Sequence, residues 1–277
     1  MNDLHKRLFS SAVLTLLLLS LIVFDVPLVI ALGALAFVFL GSVEFYDLVQ
    51  QKGLKASKWY GTISNIVIIV LVVVFAVKGK NSLSILPWIF LLCAIGAFVR
   101  QLFVSTTNHA IFGISTTILG IFYMGYLFSF LVLLRFFPSM EQGKWYLLSA
   151  VMMIKFSDMF AFFAGSLFGR HKINSTISPN KSIEGLVAGV IGSIVGGLVV
   201  YFFIDAVNFR FIDALVLGFI IGVMAEIGDF SESLLKRDAE IKDSNRLLPG
   251  MGGILDVLDS TLLCAPIFYF YVRYIIK

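Results

Sequence analysis

Charge is scarce in this sequence. Asp, Glu, Lys and Arg make up only 14% of its 277 residues against 59% hydrophobic residues, and the mean hydropathy is +0.98. A soluble domain of this length would expose far too much apolar surface, so the composition excludes one and implies an integral membrane protein. Cysteine is almost missing as well. Cys93 and Cys264 both sit inside apolar runs, which argues against a disulfide framework or a thiol-based zinc site and leaves them as small core residues. The three histidines, His5, His109 and His171, have no partner at metal-ligand spacing, so no metal role falls to them. No Walker A pattern, HExxH, GxSxG or CxxC occurs, and nucleotide hydrolases, zinc proteases and serine esterases gain no support.

What the chain does contain is a succession of apolar runs of about 20 residues, the length an α-helix needs to cross a bilayer core. No interval between them is large enough for a soluble domain. The predicted fold is all-α and polytopic, with about nine transmembrane helices near 8–24, 26–43, 59–77, 83–104, 110–135, 145–167, 183–204, 211–231 and 253–274. The first run follows Lys6 and Arg7 as a signal peptide would, but it lacks a small-residue cleavage site and reads as a retained helix. With the N-terminus inside, thirteen Lys and Arg fall on the cytoplasmic side and seven on the other, as the positive-inside rule requires. This predicts a multi-pass protein of the inner membrane whose polar loops face the cytoplasm.

Residues 1–144 read as scaffold, because their spans hold almost no buried charge. Glu44, Phe45 and Tyr46 end the second span before a loop with three lysines, and they read as an interfacial anchor with snorkelling lysines. Residues 145–277 differ. Lys155 and Asp158 lie three apart on one helical face of an apolar span, where they either neutralise each other or face a functional cavity. Gly165 and Gly169, then Gly185, Gly189, Gly192, Gly196 and Gly197, are spaced for close helix contact. Between these groups, Ser178-Pro179-Asn180-Lys181-Ser182 is either a plain helix cap or a phosphate site at a helix N-terminus.

The densest chemistry begins at Gly228-Asp229 and runs through Lys236-Arg237 to Asp259. Glu226, Asp229 and Glu232 follow one another at three-residue steps and are expected to share one stripe, while Asp256 and Asp259 begin the next span. Two helix ends can therefore present carboxylates, which suit a hard cation such as Mg2+ together with substrate phosphates. Lys236, Arg237, Lys242 and Arg246 offer cationic donors, and Pro249-Gly250-Met251-Gly252-Gly253 offers a turn whose N–H groups can approach an anion closely. Together these features point to phosphoryl chemistry at a metal.

At these residues the sequence resembles the phosphatidate cytidylyltransferase, or CDP-diacylglycerol synthase, family. Its C-terminal pattern is matched by Ser231, Lys236, Arg237, Lys242, Asp243, Ser244, Leu248, Pro249, Gly250, Gly252, Gly253, Asp256 and Asp259. Upstream, Asp158, Ala161, Gly165 and Gly169 match a second motif, and Ser178, Pro179, Lys181, Ser182, Glu184 and Gly185 a third. The pattern departs at Met251 for histidine, Val257 for arginine, Asn245 for glycine and Asn180 for lysine. Those changes remove a titratable donor and a phosphate fork but leave the carboxylates, so metal binding is expected to persist.

The resemblance implies transfer of a cytidylyl group from CTP to phosphatidic acid, with Mg2+ as cofactor and room for a second cation such as K+. Asp229, Asp256, Asp259 and Asp158 are the implied metal ligands, and Asp229, Asp256, Lys236 and Arg237 the catalytic set. Ser178, Lys181, Ser182, Lys242, Ser233, Gly252 and Gly253 would bind substrate. The expected partners are CTP, phosphatidic acid and the lipid bilayer, with a homodimer among the assemblies open to it and no nucleic acid. Two other classes are carried alongside: a transporter with a buried charged site, and an impaired relative that only binds lipid.

Overall fold

The protein is seen here as a computed structural model that describes residues 22, 26–104, 108–173, 176–241, 244 and 252–276. Among the described residues eight helices are long and apolar enough to cross a membrane. In chain order the helices are α1 (Pro27–Gln51), α2 (Lys58–Val77), α3 (Ser82–Leu102), α4 (Ala110–Gly120), α5 (Phe128–Phe136), α6 (Met140–Phe168), α7 (Ile183–Phe203), α8 (Phe211–Asp238) and α9 (Ile254–Tyr274). A π-helical turn, Ile121–Leu127, joins α4 to α5 as one span. The expected first span, 8–24, lies outside the described residues except for Ile22. The chain is an all-α polytopic membrane protein, as its hydropathy implies. Runs of Val and Ile such as those of α2, poor helix formers in water, are helical here because a bilayer leaves backbone N–H and C=O groups no other partners.

Three helices extend past their apolar runs: α1 to Gln51, α6 back to Met140 and α8 on to Asp238. Hydropathy marks the hydrocarbon-crossing length only, whereas a helix continues as long as its local sequence allows. Lys236 and Arg237, expected on the connecting loop, therefore lie in the last turn of α8. There the Glu232–Lys236 pair at i, i+4 and the basic end complement the helix dipole.

The chain divides into two compact units. The first comprises Met1–Leu133 and Asp238–Val257. Its centre is Tyr46, fully buried, whose hydroxyl donates to the Thr117 carbonyl at 2.9 Å. Gly61 and Gly120 close on the Tyr46 ring so tightly that neither could carry a Cβ. Asn65, also buried, donates from Nδ2 to Ser42 Oγ at 2.8 Å and to the Gly120 carbonyl at 3.2 Å. Phe45 packs edge-on against Tyr46. Glu44, Phe45 and Tyr46 are thus core residues and not the interfacial anchor their sequence suggests. The lysine-bearing loop beside them reads the same in either case, since hydropathy does not reveal which face of a helix meets protein.

The second unit comprises Leu134–Arg237 and Leu258–Lys277. The glycines of α7 set its packing. Gly192 lies against the Phe156 backbone and Gly196 against Met153 on α6, while Gly218 and Gly222 bring α8 against Ile194 and Val190 of α7. Gly228 of α8 meets the backbone of Asp259 and Ser260 on α9. This last contact delivers Asp229 and Asp259 to the same neighbourhood.

Candidate active site

In the second unit the charged side chains converge. On α6, Lys155 Nζ donates to Asp158 Oδ2 at 2.8 Å, each side chain keeping 41% of its surface accessible within an apolar span. On α8, Glu226 and Asp229 lie three residues apart and both reach Lys181, at 2.9 and 2.8 Å. Lys181 also lies over the Phe230 ring, 4.0 Å from its centroid. Asp259 of α9 is within electrostatic reach of Asp229, Asp158 and Lys155. Four carboxylates therefore share one region with two ammonium groups, so acidic side chains outnumber basic ones by two.

Lys181 is carried there by a pinned loop. Ile173 N–H donates to the Lys181 carbonyl and Ile183 N–H to that of His171, both at 3.0 Å, which pairs the two strands of the connection between α6 and α7. The Ser182 hydroxyl caps α7 by accepting from Gly185 N–H at 3.2 Å, and Glu184 accepts from the backbone N–H and Nδ1 of His171. Burial alone would push the Lys181 ammonium down. The charges of Asp229 and then Glu226, with their hydrogen bonds, outweigh it and hold the group above the usual lysine range.

The expected stripe of Glu226, Asp229 and Glu232 divides. One three-residue step keeps neighbours together, but two steps fall about 120° short of two full turns. Glu232 is accordingly buried elsewhere and pairs with Lys236 at 2.5 Å. Arg237 Nε donates to the Ile177 carbonyl at 3.2 Å and so holds the Lys181 loop. Ser178 lends its carbonyl to Lys181 N–H at 3.3 Å, and Ser233 donates to Asp229 Oδ1 at 3.5 Å. Glu226, outside the predicted site, belongs to the cluster. Gly189 makes room for it, since a Cβ there would stand 2.5 Å from Glu226 Oε1. The glycine spacing marks Gly189 for close helix contact, but only the tertiary contact between α7 and α8 shows that it makes room for Glu226.

The first unit holds the other part of the motif. Asp256 Oδ2 accepts from Gly253 N–H at 2.7 Å, Ser244 N–H at 3.1 Å and Ser244 Oγ at 2.6 Å. Gly252 has φ +88°, a conformation that favours glycine, and a Cβ there would collide with the Asp256 carboxylate. Gly253 is equally without room, closed in by Glu44 and Ser244. Val257, where the motif has arginine, is buried. Lys242, Asn245 and Met251 lie outside the described residues.

Among the described residues no three His, Cys, Asp or Glu side chains stand together in a ready-made metal site. The donor chemistry nonetheless fits a hard divalent cation: Asp158, Asp229 and Asp259 offer only oxygen, and acidic side chains outnumber basic ones in the region.

Comparison with known proteins identifies the family of the chain. The model of the cytidylyltransferase family matches residues 5–275. A phosphatidate cytidylyltransferase of Chlamydia trachomatis is 32% identical over 287 residues, covering 97% of this chain and 92% of the relative. The phosphatidate cytidylyltransferase of Bacillus subtilis is 28% identical, with 98% of each chain covered, and that of Synechocystis is 37% identical over 57% of this chain and 62% of its own. The family model matches nearly the whole chain and a relative 32% identical is covered almost end to end, and the chain belongs to the cytidylyltransferase family.

Proposed function

We propose that this protein transfers the cytidylyl group of CTP to phosphatidate, forming CDP-diacylglycerol and pyrophosphate for phospholipid biosynthesis. The observation that carries the reading is the cluster of Asp158, Glu226, Asp229 and Asp259 with Lys155 and Lys181, set in spans that otherwise reject charge, in a chain of this family. A lipid phosphate oxygen bonds to the α-phosphorus of CTP while the bond to the oxygen bridging the β-phosphate breaks, and pyrophosphate leaves with that electron pair. No general base is required, because a phosphate monoester is already an anion near neutral pH. The work left to the protein is to position two anions and offset their charge.

Mg2+ would be held by Asp158, Asp229 and Asp259 and would neutralise charge on the nucleotide phosphates. Asp256 joins this ligand set on the motif resemblance alone. Lys181 and Lys155 balance the carboxylates before substrate arrives, and phosphate oxygens can take over those ammonium donors. Arg237 acts as a positioning residue through Ile177, and Ser182 through the cap of α7. The excess of Lys and Arg on one side of the spans supports a site at the cytoplasmic face of the membrane, where CTP is found.

The test is purified protein in lipid nanodiscs with CTP, phosphatidate and Mg2+. CDP-lipid and pyrophosphate should appear in equal amounts and stop on chelation of the metal. Asp229→Asn should lower turnover by at least about 100-fold. Substrate flux without chemistry, or unchanged turnover of the Asn variant, would refute the reading.

A further inference from the structure

Glu44 of α1 is 2% exposed, and no described Lys, Arg or His forms an ion pair with it. A buried carboxylate without a counter-ion is costly unless hydrogen bonds replace its water. Here Oε2 accepts from Leu255 N–H at 2.9 Å and from Ser244 Oγ at 3.3 Å, while Oε1 is buried with no hydrogen-bond partner. Ser244 and Leu255 flank the Leu248–Gly253 stretch of the family motif in sequence, so one oxygen, some 200 residues away, accepts from a residue on each side of that stretch. The Ser244 hydroxyl also reaches Asp256 Oδ2 at 2.6 Å. Its single proton is shared between two carboxylates, and this couples Glu44 to Asp256. A neutral Ser or Asn would serve a plain cap at lower desolvation cost. A carboxylate gives stronger, charge-assisted bonds to Ser244 and to the Leu255 N–H.

We propose that Glu44 is a positioning residue for cytidylyl transfer: it clasps Ser244 to Leu255 at the start of α9 and, through Ser244, sets Asp256 and Gly252-Gly253 for CTP. The proposal rests on the activity proposed above. Beside the clasp lies a recess of about 380 Å3 lined by Glu44, Asp47, Gln50, Gln51 and Ser244. Every one of those side chains is polar and none is cationic, which suits the hydrogen-bonding base of a nucleotide and neither its phosphates nor an acyl chain, so loosening the clasp should be felt by CTP and not by the lipid.

The experiment compares Glu44→Ala, Glu44→Gln, Ser244→Ala and the Gln/Ala double variant in the nanodisc assay, measuring KM for each substrate separately. Glu44→Ala should lower kcat/KM for CTP about tenfold, mainly through KM, with KM for phosphatidate within about twofold of the parent. Glu44→Gln keeps an acceptor for Leu255 N–H and should recover most of the loss. The double variant should lose less than the two single losses multiplied, because both act through one hydroxyl. If Glu44→Ala does not fold, Ser244→Ala carries the same KM test. An unchanged CTP KM, equal rises in both KM values, or an effect on thermal stability alone would overturn the proposal. Parent protein without turnover would instead sink the activity reading, so the two failures are distinct.

Discussion

Replacing Lys181 by Met isolates the ammonium's contribution, because the thioether keeps the packing over Phe230 and removes only the charge. The ammonium makes contacts of 2.9 Å to Glu226 and 2.8 Å to Asp229. At an effective dielectric constant near 20, each is a gross attraction of about 6 kcal/mol, most of which desolvation takes back. Breaking a buried pair from one side typically costs about 3–5 kcal/mol. The Asp229 side chain is 38% accessible and can recruit water, which places the expected loss near the lower end, about 3 kcal/mol. Two carboxylates three residues apart would then repel each other, so adding Glu226→Gln to the Met variant should restore about half of that. The pH dependence has a definite sign. The Lys181 ammonium is held above its ordinary range, so its stabilisation is complete below about pH 10.4 and fades as pH climbs through the raised value. Equilibrium unfolding in mixed micelles, followed by tryptophan fluorescence, should show a loss of stability at high alkaline pH in the parent and lack it in the Met variant. A Met variant as stable as the parent, or a double variant no better than the single one, would refute the reasoning.

Two smaller perturbations address the packing that positions the site. Gly192→Ala would put a methyl 2.5 Å from the Phe156 backbone carbonyl and 2.6 Å from Phe160 Cβ, so α6 and α7 must separate; a loss of about 2 kcal/mol in unfolding free energy is expected. Tyr46→Phe deletes the donor to the buried Thr117 carbonyl and should cost about 1 kcal/mol in the same measurement.

Much of the architecture was legible before any coordinates. The runs read as 59–77, 110–135 and 183–204 fall within a residue or two of α2, the α4–α5 span and α7, because hydrocarbon forces each long apolar run into one helix. The apolar-run method was weakest at polar helix ends, as with Lys236 and Arg237, where helix continuation depends on capping and local pairs. At the site, Lys155 with Asp158, and Asp229 with its glycine neighbour Gly228, stood out as charges and small residues in apolar surroundings. The partners of Lys181 did not. The residue reads as a phosphate donor on a loop, and only the folded connection from α6 to α7 brings it to Glu226 and Asp229.

By itself, then, the chain's composition determined a bilayer protein, its succession of spans and the family to which its motifs answer, since solvent transfer and local spacing are properties of short stretches. Which carboxylates share a neighbourhood, and that Glu44 is a buried clasp and not an interfacial anchor, were decided only by tertiary packing. Those outcomes depend on the angle at which each helix meets its neighbours and on glycines that let backbones touch, neither of which any one segment encodes alone.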